Sequence, residues 1–403
     1  MMKLIKYIKI LTKEVWRLWI NELKRVFSDG GVMLLFFGAT IIYPLIYGLS
    51  YQPEVLQNIP VAIVDQDNSS SSRTIIQMLD ATEQIHCSVN LGSLNDAKNA
   101  FFEGAVSGVI LIPENFEKDI LQEKQTPLVV YADASYLLVY KQTVQGVMAV
   151  VQQKNKDIKR QRYEDAGVPK VQAIQLSQPV RFNSEALYNP SSGYGSYTMV
   201  GLLILIIQQS LLMGIGMLSG SDKERGGASY ISVLDSLKGS VSRLIVAKIL
   251  AYLTIYIPVS MYMLYVIPHW FNLPHAASPG TILAFVIPFL ISVSLLGLLL
   301  SALFRSREQS VIVLLFTSIP LIFLSGFSWP VEAFPWGFNY LAHLFPSTPA
   351  VIGFLKISVM GLSISEIRVE WYEFWIMSAI FMAINLFVLH RVYNRYKRKT
   401  AIS

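Results

Sequence analysis

Residues 31–51 read GVMLLFFGATIIYPLIYGLSY, from Gly31 to Tyr51, 21 residues without a single charge. A helix needs about 20 predominantly apolar residues to cross the hydrocarbon core of a bilayer, so this stretch predicts a membrane-spanning helix. Comparable blocks follow at Thr198–Ser219, Leu244–Ile267, Thr281–Phe304, Ser310–Phe327 and Trp371–His390. Between the first block and the second lie about 145 residues of ordinary polar sequence. The chain is 53% apolar and only 15% charged, and apolar residues gathered into such runs exclude a soluble globular protein. The predicted class is an α-helical polytopic membrane protein with six transmembrane helices and one large inserted domain.

Lys and Arg collect on the cytoplasmic side of a membrane protein. Before the first block stand Lys3, Lys6, Lys9, Lys13, Arg17, Lys24 and Arg25; after the second, Lys223, Arg225, Lys238 and Arg243; after the fourth, Arg305 and Arg307; and in the tail, Arg391, Arg395, Lys397, Arg398 and Lys399. These segments alternate correctly with six spans if both termini are cytoplasmic, which puts residues 52–197 outside. That domain holds 12 Lys and Arg against 16 Asp and Glu, a net of −4 in a chain that is +6 overall. The basic balance thus reports topology and does not predict nucleic acid binding. The length of the first block and of its basic flank argue against a cleaved signal peptide.

Apolar residues at Leu4, Ile8, Leu11, Val15 and Leu18, opposite Lys6, Lys9, Lys13 and Arg17, have helical spacing and predict an interfacial helix within residues 1–30. The outer domain reads as α/β. Strands are expected at 59–65, 108–113 and 128–131, with helices at 69–81, 94–105 and 114–122, an alternation that favours a small mixed or parallel sheet. From 135 to 165 there is no Pro and one Gly, which predicts one long helix. Its basic last third (Lys154, Lys156, Lys159, Arg160, Arg162) reads as a solvated face or a docking surface. The single cysteine, Cys87, has no partner for an intrachain disulfide; a disulfide to a second copy is the alternative to the expected reading, a buried structural thiol.

There is no Gly-x-x-x-x-Gly-Lys-Ser/Thr loop for a nucleotide, and no cluster with metal-ligand spacing. No Asp or Glu lies in the middle of a span, as a proton- or sodium-driven carrier would place one. Energy for transport is therefore expected from another subunit.

Three segments carry a family resemblance. Arg181-Phe182-Asn183 and Leu187-Tyr188-Asn189-Pro190 precede the second span. Asp222-Lys223-Glu224-Arg225-Gly226-Gly227 follows it, leading to Arg243 and Lys248-Ile249-Leu250. Leu324-Ser325-Gly326-Phe327-Ser328-Trp329-Pro330-Val331-Glu332-Ala333-Phe334-Pro335 and then Pro346 follow the fifth. In this order and within six spans, they resemble the permease subunits of bacterial type-2 ATP-binding-cassette (ABC) exporters with a large periplasmic domain between the first two spans. Gly227 departs from a usual Thr, and Phe345 from a frequent Asn.

The resemblance implies a permease in the bacterial cytoplasmic (inner) membrane that is not an enzyme and binds no cofactor itself, with ATP and Mg held by a cytoplasmic P-loop ATPase subunit. It implies a second permease copy or a related permease, and residues 222–227 as the loop on which the ATPase acts. Residues 52–197 become a periplasmic α/β domain that extends the path or docks a periplasmic adaptor, 198–390 a five-helix transmembrane region, and 391–403 a basic cytoplasmic tail. Gly326, Trp329, Pro330, Glu332, Pro335 and Pro346 mark a segment too polar and broken to span, expected to dip into the outer leaflet as a lateral gate or a cap. Polar residues within the spans, Gln208, Gln209, Tyr252, Tyr256, Thr317 and Ser318, are candidates for a substrate pathway, with interhelical hydrogen bonding as their plain structural reading. Pro44, Pro258, Pro288 and Pro320 interrupt spans as hinges or as kinks. The function expected is ATP-driven efflux of an amphiphilic or hydrophobic substrate. The alternatives are a membrane receptor or assembly scaffold, and a polysaccharide exporter, the latter disfavoured by the large domain.

Overall fold

The computed structural model describes residues 2–51, 55–180, 193–225, 240–273 and 275–400. The chain divides into two compact units, one of Met1–Glu54 with Ala186–Ser403 and one of Val55–Glu185.

The first unit is helical, and among the described residues six of its helices are long and apolar enough to cross a membrane. Helix α1 (Met2–Ser28) leads into α2 (Gly30–Ser50). Asp29 separates them: it leaves helical geometry, and its carboxylate accepts hydrogen bonds from the Gly31 and Val32 amides, capping α2. The other spans are α8 (Tyr194–Glu224), α9 (Val241–Trp270), α10 (Pro279–Ser301), α11 (Arg307–Leu324) and the first part of α14 (Arg368–Thr400). The helix α8 is central and packs against α2, α10 and α11. Two spans contain a widened, π-helical turn, at Leu34–Ala39 in α2 and Tyr262–Val266 in α9. Each lies near a helix proline, Pro44 or Pro258, where the missing N–H already weakens the ladder.

Gly326, at φ +79°, turns the chain sharply after α11. Two short helices follow, α12 (Trp336–Ala342) and α13 (Ser347–Ser358). With 12 residues, α13 is about 18 Å long, too short to cross a bilayer, yet it is largely buried and packs against α8. Pro346 precedes it, and Trp329, Glu332 and Trp336 are exposed around the turn. Lys356 of α13 pairs with Glu370 of α14 at 2.6 Å, and His343 meets Glu373 at 2.6 Å.

The second unit is an α/β fold. Its strands are β1 (Ile59–Asp65), β2 (Ile85–Leu91), β3 (Gly108–Ile112) and β4 (Val129–Ala132), in the order β2-β1-β3-β4. β1 pairs in parallel with β2 and β3, and β4 closes the far edge antiparallel to β3. Its helices are α3 (Ser70–Asp80), α4 (Leu94–Phe102), α5 (Phe116–Leu121), α6 (Leu137–Asp165) and α7 (Lys170–Ser177). Alternation along β1 builds two cores. Val61 and Ile63 pack with Ile75, Leu79, Phe116 and Val147, under α3, α5 and α6. Ala62 and Val64 pack with Ala97 and Val109, under α4. The 29-residue α6 covers the sheet with its first half, where Gln142, Thr143, Gly146, Val147 and Val150 are buried.

Candidate functional site

Charged residues of the first unit converge at one end of its bundle. Within α1, helical spacing puts Glu14, Leu18, Glu22 and Val26 on one side, and Leu18, Glu22 and Val26 are buried there. This helix lies along α9: Glu14 pairs with Arg243 at 2.6 Å, and Glu22 with Lys248 at 2.8 Å. The Tyr252 hydroxyl donates to the same Glu22 oxygen at 2.7 Å, and Arg25 reaches the other at 2.8 Å. Burial by itself would raise the Glu22 pKa. The charges of Lys248 and Arg25, with the hydrogen bonds from Lys248 and Tyr252, outweigh it and hold the carboxyl at about 2.

The last turn of α8 then distributes three consecutive charged side chains to three other helices. Asp222 accepts from Arg25 of α1 at 2.6 Å. Lys223 donates to the carbonyls of Ser301, Ala302 and Phe304, the open C-terminal groups of α10. Glu224 accepts from the Arg307 amide, at the start of α11, at 2.8 Å. Gly220 permits this approach, because a Cβ there would lie 2.6 Å from the Arg307 nitrogen. Arg307 in turn grips Asp29, whose carboxyl is held below its ordinary range by these hydrogen bonds. The ends of α1, α2, α8, α9, α10 and α11 are thereby one polar network.

Arg225 is exposed and, among the described residues, makes no side-chain hydrogen bond or ion pair. Gly226 and Gly227 lie outside the described residues, as does the 181–190 element. Beside the network is a cavity of about 170 Å³, lined by Asp222, Lys223 and Lys248 and by apolar residues such as Leu244, Leu298 and Val392.

The six polar span residues do not gather at one place. Gln209 donates to Ser318 at 2.7 Å, joining α8 to α11. Tyr256 donates to Ser210 at 2.9 Å, joining α9 to α8, with the Phe36 ring of α2 edge-on to it. Tyr252 belongs to the Glu22 cluster, and Thr317 bonds the Leu314 carbonyl of its own helix. Gln208 is fully buried, and both its amide atoms lack a partner among the described residues.

Sequence reasoning missed Glu14, Glu22 and Asp29, and it noted Arg307 only as a topological charge. One signal was present: Lys248 stands alone inside an apolar block, and a charge at such depth needs a counter-ion.

Residues 31–389 match the family described as ABC-2 family transporter protein. Among curated relatives, the linearmycin resistance permease protein LnrN of Bacillus subtilis (strain 168) is 23% identical over 371 residues, covering 86% of this chain and 91% of that protein. The inner membrane transport permease YhhJ of Escherichia coli (strain K12) is also 23% identical, over 91% of this chain and 94% of its own length. Six apolar helices, the motifs at the ends of the spans and a match over nearly the whole length agree: this chain belongs to the ABC-2 family of transporter proteins, as a permease subunit that is not itself an enzyme and whose ATP hydrolysis lies on a partner chain.

Proposed function

We propose that the chain is the permease of an ATP-driven exporter in the bacterial inner membrane, with the charged end of the bundle and both termini facing the cytoplasm. A P-loop ATPase holding ATP and Mg would engage the segment from Asp222 to Gly227. A force on that segment acts on α1 through Asp222, on α10 through Lys223 and on α11 through Glu224. This three-way grip is the observation that carries the reading, because it converts one contact point into a joint motion of several spans. Arg225, exposed beside it, is left for the ATPase itself.

Two such permeases, identical or related, would enclose the path. The apolar cavity beside Lys223 and Lys248 suits the tail of an amphiphile. Outward direction is supported by the name of the Bacillus relative, which ties that protein to resistance to linearmycin. The α/β unit would be periplasmic and would extend the path or dock an adaptor. The turn from Gly326 to Pro346 would shape the outer-leaflet exit.

The decisive preparation is the tagged protein purified from its own host in mild detergent, with its companions identified by mass spectrometry. A stoichiometric P-loop ATPase is expected. Reversing charge at Glu224 and Arg225 together should abolish stimulation of that ATPase while the protein still inserts; unchanged stimulation would refute the coupling role.

A further inference from the structure

The second half of α6 does not simply face solvent. Val151, Lys154, Asn155, Ile158, Lys159 and Arg162 recur at the three- and four-residue spacing of one helix face, and all of them line a single cleft. The cleft is about 410 Å³ and is bounded across from α6 by α5 and the segment leading to β4. Ile75 and Phe116, both buried, and the half-buried Ile120, Leu128, Val151 and Ile158 form an apolar floor within a lining that is otherwise polar.

Its rim is basic. Lys124, Lys154, Lys159 and Arg162 stand against the single acid Glu123, in a domain that is acidic overall. Arg162 is occupied, donating to the Ile120 carbonyl at 2.9 Å and lying 3.8 Å from Glu123. The three lysines have no ion-pair partner among the described residues. Thr126, which also lines the cleft, has a buried hydroxyl without a hydrogen-bond partner among the described residues. An apolar floor with a few convergent polar groups is the usual form of a small-molecule site. Free cations at the edge of such a floor complement one kind of ligand, an alkyl chain ending in an anion.

We infer that this cleft of the α/β unit is a binding site for a single-chain anionic amphiphile, whose tail lies on Ile120, Val151 and Ile158 and whose phosphate or carboxylate head is held by Lys124, Lys154 and Lys159. The inference goes beyond the transport reading and does not depend on it, since binding here is read without the ATPase.

The test uses the full chain in nanodiscs of phosphatidylcholine, with a diazirine-bearing dodecyl phosphate as photoprobe and mass spectrometry to map the label. Label is expected on peptides containing Ile120 and Ile158, in addition to whatever the membrane-spanning helices acquire. Unlabelled dodecyl phosphate should compete; inorganic phosphate alone should not, and dodecanoate will show whether a carboxylate head serves as well. Lys154→Glu with Lys159→Glu should lower the label in the cleft by about tenfold, while label on the spans stays constant as an internal reference. In the unaltered protein, raising salt should weaken the cleft label selectively, which keeps the test open if the variant misfolds. Absence of label in the α/β unit, label indifferent to both the charge reversal and salt, or equal competition by dodecyltrimethylammonium would overturn the proposal. Equal competition by inorganic phosphate would reduce it to an anion site without a tail.

Discussion

The guanidinium of Arg307 meets both carboxylate oxygens of Asp29, at 2.5 and 2.7 Å, and so ties the start of the fifth span to the start of the first. Asp29 does two things at once, since the oxygen at 2.7 Å also caps α2 through the Gly31 and Val32 amides. The two roles separate by substitution. Asp29→Asn keeps a capping oxygen and loses the ion pair; Asp29→Ala loses both. The melting temperature in detergent should therefore fall in the order wild type, Asn, Ala, the last step reflecting about 1 kcal/mol of lost capping. Arg307→Lys should retain only part of the pairing, because an ammonium cannot make the two-pronged contact. Equal melting of the Asn and Ala variants would show that the cap contributes nothing here.

Glu22 and Lys248 form the deepest ion pair of the network, with side chains only 5% and 6% exposed. Removing one member of such a pair strands a buried charge and typically costs about 3–5 kcal/mol, whereas replacing both often costs little. Glu22→Gln and Lys248→Met should each sharply reduce the yield of folded protein, and the double variant should recover much of it. Measured by size-exclusion profile and thermal melting, additive losses in the double variant would contradict the pairing.

These two relationships also mark where the sequence stops being legible. The spans could be read because apolar length is a local property, and α6 because a stretch nearly free of Pro and Gly is one too. The edge strand β2 escaped notice, since His86, Ser88 and Asn90 interrupt its apolar residues and only Ile85 is buried. The helix α13 was hidden among Pro346, Pro349 and Gly353, which read as broken chain until burial against α8 is known. The acidic residues of α1 escaped for a different reason. Glu22 stands on a helix dominated by lysines, and its partner is 226 positions away, so no local pattern distinguishes it from a solvated charge. Likewise, the Asp222–Arg225 segment was legible as a motif, but which helix each side chain grips was not, because that depends on the packing of α1, α10 and α11 around α8.

His275, between α9 and α10, sits among the rings of Tyr265, His269 and Phe354. Burial first, and then the neighbouring His269, lowers its pKa from 6.5 to about 4. The unfolded chain therefore takes up this proton near pH 6.5 and the folded chain only near 4. The stabilisation from the neutral ring is complete above pH 6.5 and is lost as pH falls from 6.5 towards 4. His275→Phe keeps the ring contacts and cannot be protonated. Its melting temperature should decline less than that of the wild type between pH 7 and pH 5, and a parallel decline of both would refute the assignment.

Cys87, on the edge strand β2, is half-buried, with its amide donating to Asp80 at 2.9 Å. Burial, and secondarily the Asp80 charge, pushes the thiol pKa up to about 12. Alkylation requires the thiolate. At pH 8 the folded protein should thus react with a maleimide on the order of a thousandfold more slowly than a free cysteine, and at the ordinary rate once unfolded in dodecyl sulfate. Asp80→Asn preserves the oxygen that accepts from the Cys87 amide but removes the charge, so it should accelerate alkylation several-fold without changing the fold. The same scarcity of thiolate works against oxidation, and a mild thiol oxidant should leave the folded chain monomeric on a non-reducing gel. Fast alkylation that Asp80→Asn does not alter would instead mean an open, uncoupled thiol, and would restore a disulfide between two copies as a serious reading of the lone cysteine.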